Sequence, residues 1–271
     1  MTQIECCAKL NLYLRLVARR PDGYHDIDTV FQEINLADTL IWSPGGPGLS
    51  LEVMGADLGE TSENLVMKAG RLFAHETGLE VKGTFQLMKR IPAGGGLGGG
   101  SSDAAGALKI LNTHYGSPLT ENDLSELGSR LGSDIPFFIR GGCQRGTGRG
   151  TYLEPVQFDG GPGRGFLLAP PFSISTGKVY GACRVPERVT QVPELGENHL
   201  LEAALAVSPA FSQLWGLLTP VFQEGFFFMT GSGSTMVWLT EQSEMTPEQA
   251  QILDLARVSV IPFHFSADFT N

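Results

Sequence analysis

The fold of this chain is decided by one stretch, Pro92-Ala93-Gly94-Gly95-Gly96-Leu97-Gly98-Gly99-Gly100-Ser101-Ser102-Asp103-Ala104-Ala105. Six of the seven residues from position 94 to position 100 are glycine. Glycine loses the most conformational freedom on folding and buries no side chain. A run of this density is therefore expected where the backbone must approach another group very closely.

Regular structure is predicted on both sides of this glycine loop. Before it, residues 84–91 alternate between two faces, which predicts a strand. After it, Ser101, Ser102 and Asp103 are good N-cap residues, and the alanine- and leucine-rich segment that follows predicts a helix. Free N–H groups and the positive end of the helix dipole then meet at the loop, which predicts an anion site and favours phosphate.

Two familiar glycine motifs do not fit the loop. The loop satisfies G-x-G-x-x-G, but a dinucleotide site also needs an acidic residue at the end of a second strand, about twenty positions further on. Glu121 and Asp123 lie near that distance, but they open a helix and do not end a strand. A Walker A loop requires Gly-Lys-Ser/Thr, whereas Gly100 is followed directly by serine. A flexible linker is the alternative to a phosphate loop, and the regular elements on both sides argue against it.

Composition narrows the class of protein. A hydrophobic content of 42% with 18% charged residues is typical of a globular chain with a sizeable core. The formal net charge of −10 argues against a nucleic-acid partner, because neutralising phosphates requires a basic face. The four cysteines lack C-x-x-C spacing, which favours free thiols in a reducing compartment. Since no apolar run could span a bilayer or serve as a signal peptide, we expect a cytoplasmic protein without a membrane partner.

Candidate polar residues also occur away from the loop. Lys9 and Asn11 lie two residues apart in a predicted half-buried strand whose leucines take the other face, so both could contact one ligand; a solvated strand face is the alternative. Tyr24 and His25 follow a turn, where packing or surface roles are common. Asp134 lies between a helix end and an apolar segment, where a simple turn former is the alternative.

The glycine loop, read as P-x-G-G-G-L-G-G-G-S-S-D-A-A, resembles the phosphate-loop motif of the GHMP small-molecule kinases. In this form it is most similar to the branch of that family that acts on 4-diphosphocytidyl-2-C-methyl-D-erythritol. Three further segments resemble the family, in order along the chain: Ala8-Lys9-Leu10-Asn11-Leu12, Arg20-Pro21-Asp22-Gly23-Tyr24-His25 and Gly132-Ser133-Asp134-Ile135-Pro136-Phe137-Phe138. The resemblance covers nearly the whole chain.

The resemblance implies an α/β (α+β) two-domain GHMP kinase fold with the active site in the cleft between the domains. An N-terminal ATP-binding domain of the ribosomal-protein-S5-domain-2-like type is expected at residues 1–153, and a ferredoxin-like α/β domain at 154–271. The implied reaction transfers the γ-phosphoryl group of ATP to the C2 hydroxyl of 4-diphosphocytidyl-2-C-methyl-D-erythritol, giving its 2-phosphate and ADP, in non-mevalonate isoprenoid precursor biosynthesis. ATP and Mg²⁺ are the implied cofactors; the metal ligands are unknown, and a monomer or weak homodimer is expected.

The resemblance also implies roles for individual residues. Lys9 and Asp134 are the implied catalytic pair. Tyr24 and Tyr180 are expected on the two faces of the cytosine, and His25 on its edge. The complete implied substrate set is Asn11, Tyr24, His25, Thr176 and Tyr180. The implied ATP-binding set is Asn64, Leu65, Val66, Lys89, Pro92, Ala93, Gly94, Gly95, Gly96, Leu97, Gly98, Gly99, Gly100, Ser101 and Ser102.

Two other functions remain open. A homoserine, mevalonate-type or sugar kinase of the same family would share the loop and differ in the acceptor. A nucleotide-binding sensor would lack catalysis, and the presence of both the Lys9 and Asp134 segments argues against it. Two segments are ambiguous: His199 occupies a position where the family commonly has aspartate, and residues 230–234 resemble the third glycine motif but also a simple tight turn.

Overall fold

The computed structural model describes residues 1–55, 61–157, 161–186 and 192–266, which form ten β-strands and eight α-helices. The strands are β1 (Thr2–Arg19), β2 (His25–Pro44), β3 (Leu49–Met54), β4 (Gly83–Met88), β5 (Cys143–Gly148), β6 (Tyr152–Pro155), β7 (Arg164–Ala169), β8 (Phe226–Met229), β9 (Met236–Leu239) and β10 (Ser259–His264). The helices are α1 (Leu65–Thr77), α2 (Gly99–His114), α3 (Glu121–Ser129), α4 (Ile135–Arg140), α5 (Thr176–Ala182), α6 (Leu201–Val207), α7 (Pro209–Leu218) and α8 (Pro247–Leu255). Among these helices, none combines the length and the apolar character that crossing a membrane requires.

The chain divides into two compact units by its internal contacts. The first comprises Met1–Ala8, Leu36–Ile91 and Gly98–Gly141, and the second comprises Lys9–Asn35, Pro92–Leu97 and Gly142–Asn271. The glycine loop therefore belongs to the second unit up to Leu97 and to the first unit from Gly98 onward. The expected domain boundary after residue 153 stays a prediction.

The first unit packs helices on a small mixed sheet. Strand β4 pairs in parallel with β3 and antiparallel with the later part of β2. Helix α1 packs against α2, and α2 also packs against α3 and α4. Trp42, Phe73 and Phe85 are fully buried in this core, and the rings of Trp42 and Phe85 lie 4.6 Å apart. Helix α3, whose start the sequence predicted near Glu121, begins with a capping box formed by Thr120 and Asp123.

The second unit contains two sheet portions. Residues 27–32 of β2 pair antiparallel with β5, which pairs antiparallel with β6. A separate antiparallel sheet has the strand order β10-β7-β9-β8. Trp238 on β9 is fully buried, and the stacked or edge-on rings of Phe166 and Phe222 pack against it. The turn between β8 and β9, Thr230–Thr235, is called the glycine turn below.

Two sequence predictions need correction. Helix α2 begins at Gly99 and not at the residues Ser101, Ser102 and Asp103, because Gly98 takes a left-handed conformation (φ +74°) and serves as the N-cap. Strand β1 is not half-buried between Lys9 and Arg15, where its polar residues are buried along with its leucines. Lys9 donates to Asn11 and Arg15 forms an ion pair with Glu197, so these side chains bond to protein groups instead of water.

Helix α2 has a glycine that packing requires. A Cβ at Gly106 would lie 2.5 Å from Cys6 Sγ and 3.3 Å from Ile4 Cγ2. We predict that Gly106→Ala lowers the free energy of unfolding by about 1–2 kcal/mol, because the overpacking cost exceeds the better helix propensity of alanine. Urea unfolding of the purified variant measures this effect through the midpoint at constant slope.

The matched control is the double variant Cys6→Ala/Gly106→Ala, in which the obstructing sulfur is removed. Its free energy of unfolding should exceed the value expected from adding the two single changes. Simple additivity would show that the Cys6 contact does not determine the need for glycine at position 106.

Candidate active site

The glycine loop is built from left-handed residues and ends in a helix. Its positive-φ glycines are Gly94 (+70°), Gly96 (+79°) and Gly98 (+74°). Ser102 N donates to Gly98 O at 2.9 Å, so the N–H groups before it in α2 have no partner within the helix. This end of a 16-residue helix combines free N–H donors with a positive dipole, and a phosphate group fits it.

The loop backbone also packs tightly on protein. In the second unit, a Cβ on Gly95 would clash with Thr235 Oγ1, and a Cβ on Gly96 would lie 2.8 Å from Thr230 O. Thr235 N donates to Gly95 O at 3.3 Å. The group that glycine allows to approach at these two positions is therefore the glycine turn.

Lys9 and Asn11 are held beside that turn. Lys9 Nζ donates to Asn11 Oδ1 at 2.6 Å, and Asn11 Nδ2 donates to Thr29 Oγ1 at 2.8 Å. Asn11 N donates to Thr230 Oγ1 at 2.8 Å, and Lys9 N donates to Leu97 O at 3.0 Å. The Lys9 side chain is thus fixed by a buried chain of hydrogen bonds next to the glycine loop, and the solvated-face alternative is wrong.

Further contacts of the glycine turn position Thr176 and Asn198. Thr176 Oγ1 lies 2.8 Å from Ser232 Oγ. Asn198 Nδ2 donates to Met229 O and Gly231 O, both at 2.8 Å. The turn is therefore a junction of the second unit, and its residues Thr230 and Ser232 were missed by the sequence reasoning. The only sequence signal for them was the resemblance of residues 230–234 to the third glycine motif.

His199, whose role the sequence left open, has a structural position. Its Nδ1 accepts from Leu16 N at 3.1 Å, and its Nε2 lies 2.8 Å from Glu197 Oε1. Glu197 also binds Arg15, so His199 belongs to a polar cluster that fastens this segment to β1.

The three aromatic residues expected at the nucleobase differ in their surroundings. His25 is 7% exposed, and its ring centroid lies 5.6 Å from that of Tyr180 at an interplanar angle of 34°. Tyr24 is 52% exposed, and the guanidinium carbon of Arg149 lies 3.7 Å from its ring centroid. The structure therefore brings His25 and Tyr180 together and covers one face of Tyr24 with Arg149, a residue that sequence reasoning did not select.

Two short segments of the first unit hold the other predicted residues. Asn64 caps α1, its Oδ1 accepting from Val66 N at 2.9 Å. A Cβ on Gly100 would lie 3.7 Å from Leu65 Cδ1, so Leu65 borders the start of α2. Asp134 is partly exposed at the N-cap position of α4, where its carboxylate does not cap the helix.

Lys89 lies in a buried charge network that joins both ends of the glycine loop. The Lys89 side chain is 5% exposed, and its Nζ binds Asp38 Oδ2 and, at 2.7 Å, Asp103 Oδ2. Asp38 Oδ1 accepts from the backbone N–H groups of Arg90 and Ile91, at 2.5 and 2.9 Å. Asp38 thus fixes the segment that enters the loop, and Asp103 fixes the helix that leaves it.

The electrostatics of this network follow from burial. Burial raises the pKa of Asp103 to about 7; Lys89 opposes the rise and Asp38 adds to it. Burial by itself would lower the pKa of Lys89, but its two carboxylate partners outweigh that effect and raise it. Asp103 Oδ1 has no hydrogen-bond partner within the described residues. Sequence reasoning missed Asp38 altogether and took Asp103 as a helix cap.

A magnesium ion carried by a nucleotide fits this site. Within the described ranges, no group of three or more histidine, cysteine, aspartate or glutamate side chains is arranged to hold a metal. Mg²⁺ bound to nucleotide phosphates needs only one or two protein oxygens and keeps several waters. Ser101, a partly exposed residue in the first turn of α2, carries a hydroxyl suited to that task, whereas Ser102 is buried.

Comparisons with known proteins identify the family of this chain. Residues 64–142 match the family described as GHMP kinases N terminal domain. A 4-diphosphocytidyl-2-C-methyl-D-erythritol kinase of Salinispora tropica is 34% identical over 92% of this chain and 88% of its own length. This chain belongs to the 4-diphosphocytidyl-2-C-methyl-D-erythritol kinase family of the GHMP kinases.

Other members of this family are also similar. The enzyme of Pelotomaculum thermopropionicum is 44% identical over 65% of this chain, and the matched part spans 61% of that relative. A crystal structure of 4-(cytidine 5'-diphospho)-2C-methyl-D-erythritol kinase has a TM-score of 0.80 and 31% identity, covering 98% of this chain and 100% of the other. The predicted family and α/β GHMP kinase fold are confirmed, and this family uses ATP as its phosphate donor. The individual site residues stay predictions.

The charge network generates a stability prediction. Lys89→Met should lower the free energy of unfolding by about 3–5 kcal/mol at pH 8, because it leaves two carboxylates buried without their ammonium. The loss should shrink at pH 5, since the raised pKa of Asp103 means that its proton is bound in the folded state as the pH falls below about 7. Urea unfolding at the two pH values measures both effects.

Asp103→Asn is the matched control, because it leaves a neutral Lys89–Asp38 pair. Wild-type stability contains a contribution from Asp103 that is fully present below the unfolded pKa, near 3.9, and is lost as the pH rises through about 7. Asp103→Asn should therefore gain stability relative to the wild type between pH 5 and pH 8. A constant difference across this range would contradict the assignment.

Proposed function

We propose that this chain transfers the γ-phosphoryl group of ATP to the C2 hydroxyl of 4-diphosphocytidyl-2-C-methyl-D-erythritol, giving the 2-phosphate and ADP in the non-mevalonate route to isoprenoid precursors. The observation that carries this proposal is the 34% identity to the Salinispora tropica kinase over 92% of the chain. The matched segments span 61% of the Pelotomaculum thermopropionicum relative, so the activity of the whole protein is part of the proposal.

Nucleotide binding is assigned to the glycine loop and the start of α2. The N–H groups of this helix end hold phosphate oxygens, and the left-handed glycines let the loop backbone approach those oxygens. Lys89 contributes by fixing both ends of the loop; its Nζ would lie only 3.3 Å from a Cβ on Gly99, so its charge lies beside the helix end. The residues 64–66 at the start of α1 complete the proposed ATP site. Bound Mg²⁺ would neutralise phosphate charge there.

Lys9 and Asp134 are the proposed catalytic residues. Phosphoryl transfer depends mainly on positioning and on stabilising charge, with little covalent work for the protein. The ammonium of Lys9, held by Asn11 Oδ1 at 2.6 Å, would stabilise negative charge on phosphoryl oxygens without having to reorganise. The carboxylate of Asp134, which follows the family-like Gly132-Ser133 segment at the start of α4, would orient the acceptor hydroxyl and take its proton.

The cytidine moiety is assigned to the aromatic group of the second unit. Tyr24 and Tyr180 provide faces for stacking, and His25 provides a polar edge. Thr176, held by Ser232, and Asn11 are the remaining proposed contacts of the substrate. We also propose a cytoplasmic protein that acts as a monomer or weak homodimer without a nucleic-acid partner, as the charge and cysteine content suggest.

The acceptor specificity gives a direct prediction. In one ADP-release assay with MgATP, 4-diphosphocytidyl-2-C-methyl-D-erythritol should be turned over at least about 100-fold more efficiently, as kcat/KM, than homoserine, mevalonate or a sugar, because only it fills the aromatic group and the phosphoryl site together. Preference for another acceptor would replace the proposed activity by that one. ATP binding without turnover of any acceptor would favour the nucleotide-binding sensor.

The catalytic assignment gives another prediction. Lys9→Ala and Asp134→Ala should each lower kcat by about 10²-fold or more, because each removes a charge acting on the reacting groups. Steady-state kinetics with unchanged far-UV circular dichroism measures this loss.

The matched control is Lys82→Ala, which removes a partly exposed lysine paired with Glu80 and should leave kcat within about twofold of the wild type. Near-normal turnover by either site variant would remove that residue from the catalytic set.

A further inference from the structure

His25 has an unusual set of neighbours at the proposed nucleobase site. One ring nitrogen, Nε2, lies 3.6 Å from Cys183 Sγ. The other, Nδ1, is buried and has no hydrogen-bond partner in the part of the chain that the structure describes. A buried polar atom without a partner carries a desolvation cost, so this nitrogen is suited to a hydrogen bond from a ligand.

The thiol of Cys183 determines the direction of its bond with His25. Cys183 follows α5, and its Sγ lies 3.1 Å from the backbone oxygen of Tyr180. A carbonyl oxygen can only accept, so the thiol proton points at Tyr180. The sulfur then has only lone pairs to offer to His25, and Nε2 must carry the proton that it donates to the sulfur.

The protonation state of His25 follows from its surroundings. Burial lowers the pKa of His25, and the positive charge of Arg19 adds to this effect, so the ring is neutral near pH 7. A neutral imidazole carries one N–H group and one lone pair. With the proton on Nε2, the unpartnered Nδ1 is an acceptor.

We propose that Cys183 determines nucleobase specificity by holding His25 in the Nε2–H tautomer, so that Nδ1 accepts from an exocyclic amino group. Cytosine has an amino group at the position where uracil has a carbonyl oxygen. The amino group satisfies Nδ1, whereas a carbonyl placed there would leave two acceptors facing each other. This inference rests on the proposed function for its substrate, and it assigns the preference for a cytidine over a uridine diphosphate ester to Cys183.

The tautomer is tested without any enzymatic turnover. Nitrogen-15 NMR of the labelled wild-type protein near pH 7 should show His25 protonated on Nε2 and unprotonated on Nδ1. Cys183→Ser should keep this pattern, because a hydroxyl can also donate to Tyr180 O and accept from Nε2. Cys183→Ala should give a mixture of tautomers. A wild-type His25 protonated on Nδ1 would overturn the proposal.

The specificity is tested by comparing the cytidine and uridine forms of the substrate. Wild type and Cys183→Ser should prefer the cytidine form in kcat/KM, and Cys183→Ala should lose about tenfold or more of that preference. A general packing defect would lower both values together and leave their ratio unchanged, which would overturn the proposal even if the NMR result held.

Failure of the proposed function is distinguishable from failure of this inference. If neither substrate is turned over, calorimetric binding of cytidine diphosphate and uridine diphosphate to the same three proteins replaces the kinetic ratio. A cytidine preference that falls in Cys183→Ala and persists in Cys183→Ser would support the role of Cys183 without the kinase activity. An unchanged preference in Cys183→Ala would contradict it.

Discussion

The packing of the glycine turn against the backbone of the glycine loop is the contact on which the rest of the second unit depends. Two loop positions, Gly95 and Gly96, must lack a side chain because Thr235 and Thr230 occupy the space. The same turn accepts a hydrogen bond from the backbone of Asn11 through Thr230 Oγ1. A turn of small residues can meet several segments at once, because its backbone groups and short hydroxyls reach all of them. The loop, the Lys9 strand and the Thr176 helix are therefore positioned by one element.

In the first unit, a buried network of charged side chains holds the ends of the glycine loop. A loop rich in glycine is held where its chain enters and leaves, and here Lys89 links Asp38 on one side to Asp103 on the other. Burying three charged groups is costly unless each has its partners, and removal of one partner leaves an uncompensated charge. The network therefore specifies geometry at some cost to stability. It explains why a lysine expected at the nucleotide lies between two carboxylates beneath the helix start.

Much of this could be predicted from the sequence, and the failures have physical causes. Alternation, polar helix-start residues and glycine placement identified the strand before the loop, helix α3 and the turn after β8, because these are local properties. The N-cap of α2 was expected at Ser101, Ser102 or Asp103, after the actual cap, since a left-handed Gly98 can act as a cap without a side chain. Strand β1 was expected to be half-buried. Hydropathy cannot show that Arg15 finds Glu197 in a segment about 180 residues away.

The sequence by itself determined the class of the protein, the position of the glycine loop and the family, because a glycine run before a helix N-terminus has few other uses. Only the tertiary structure decided which atoms the polar side chains contact. Lys9 binds Asn11, Lys89 lies between Asp38 and Asp103, and His25 contacts Cys183. Some of these partners are distant in sequence, and the residue type of the others does not distinguish them from residues that are exposed to solvent. Hydrogen-bond direction and burial are properties of the assembled chain, and the chemistry proposed for this protein depends on both.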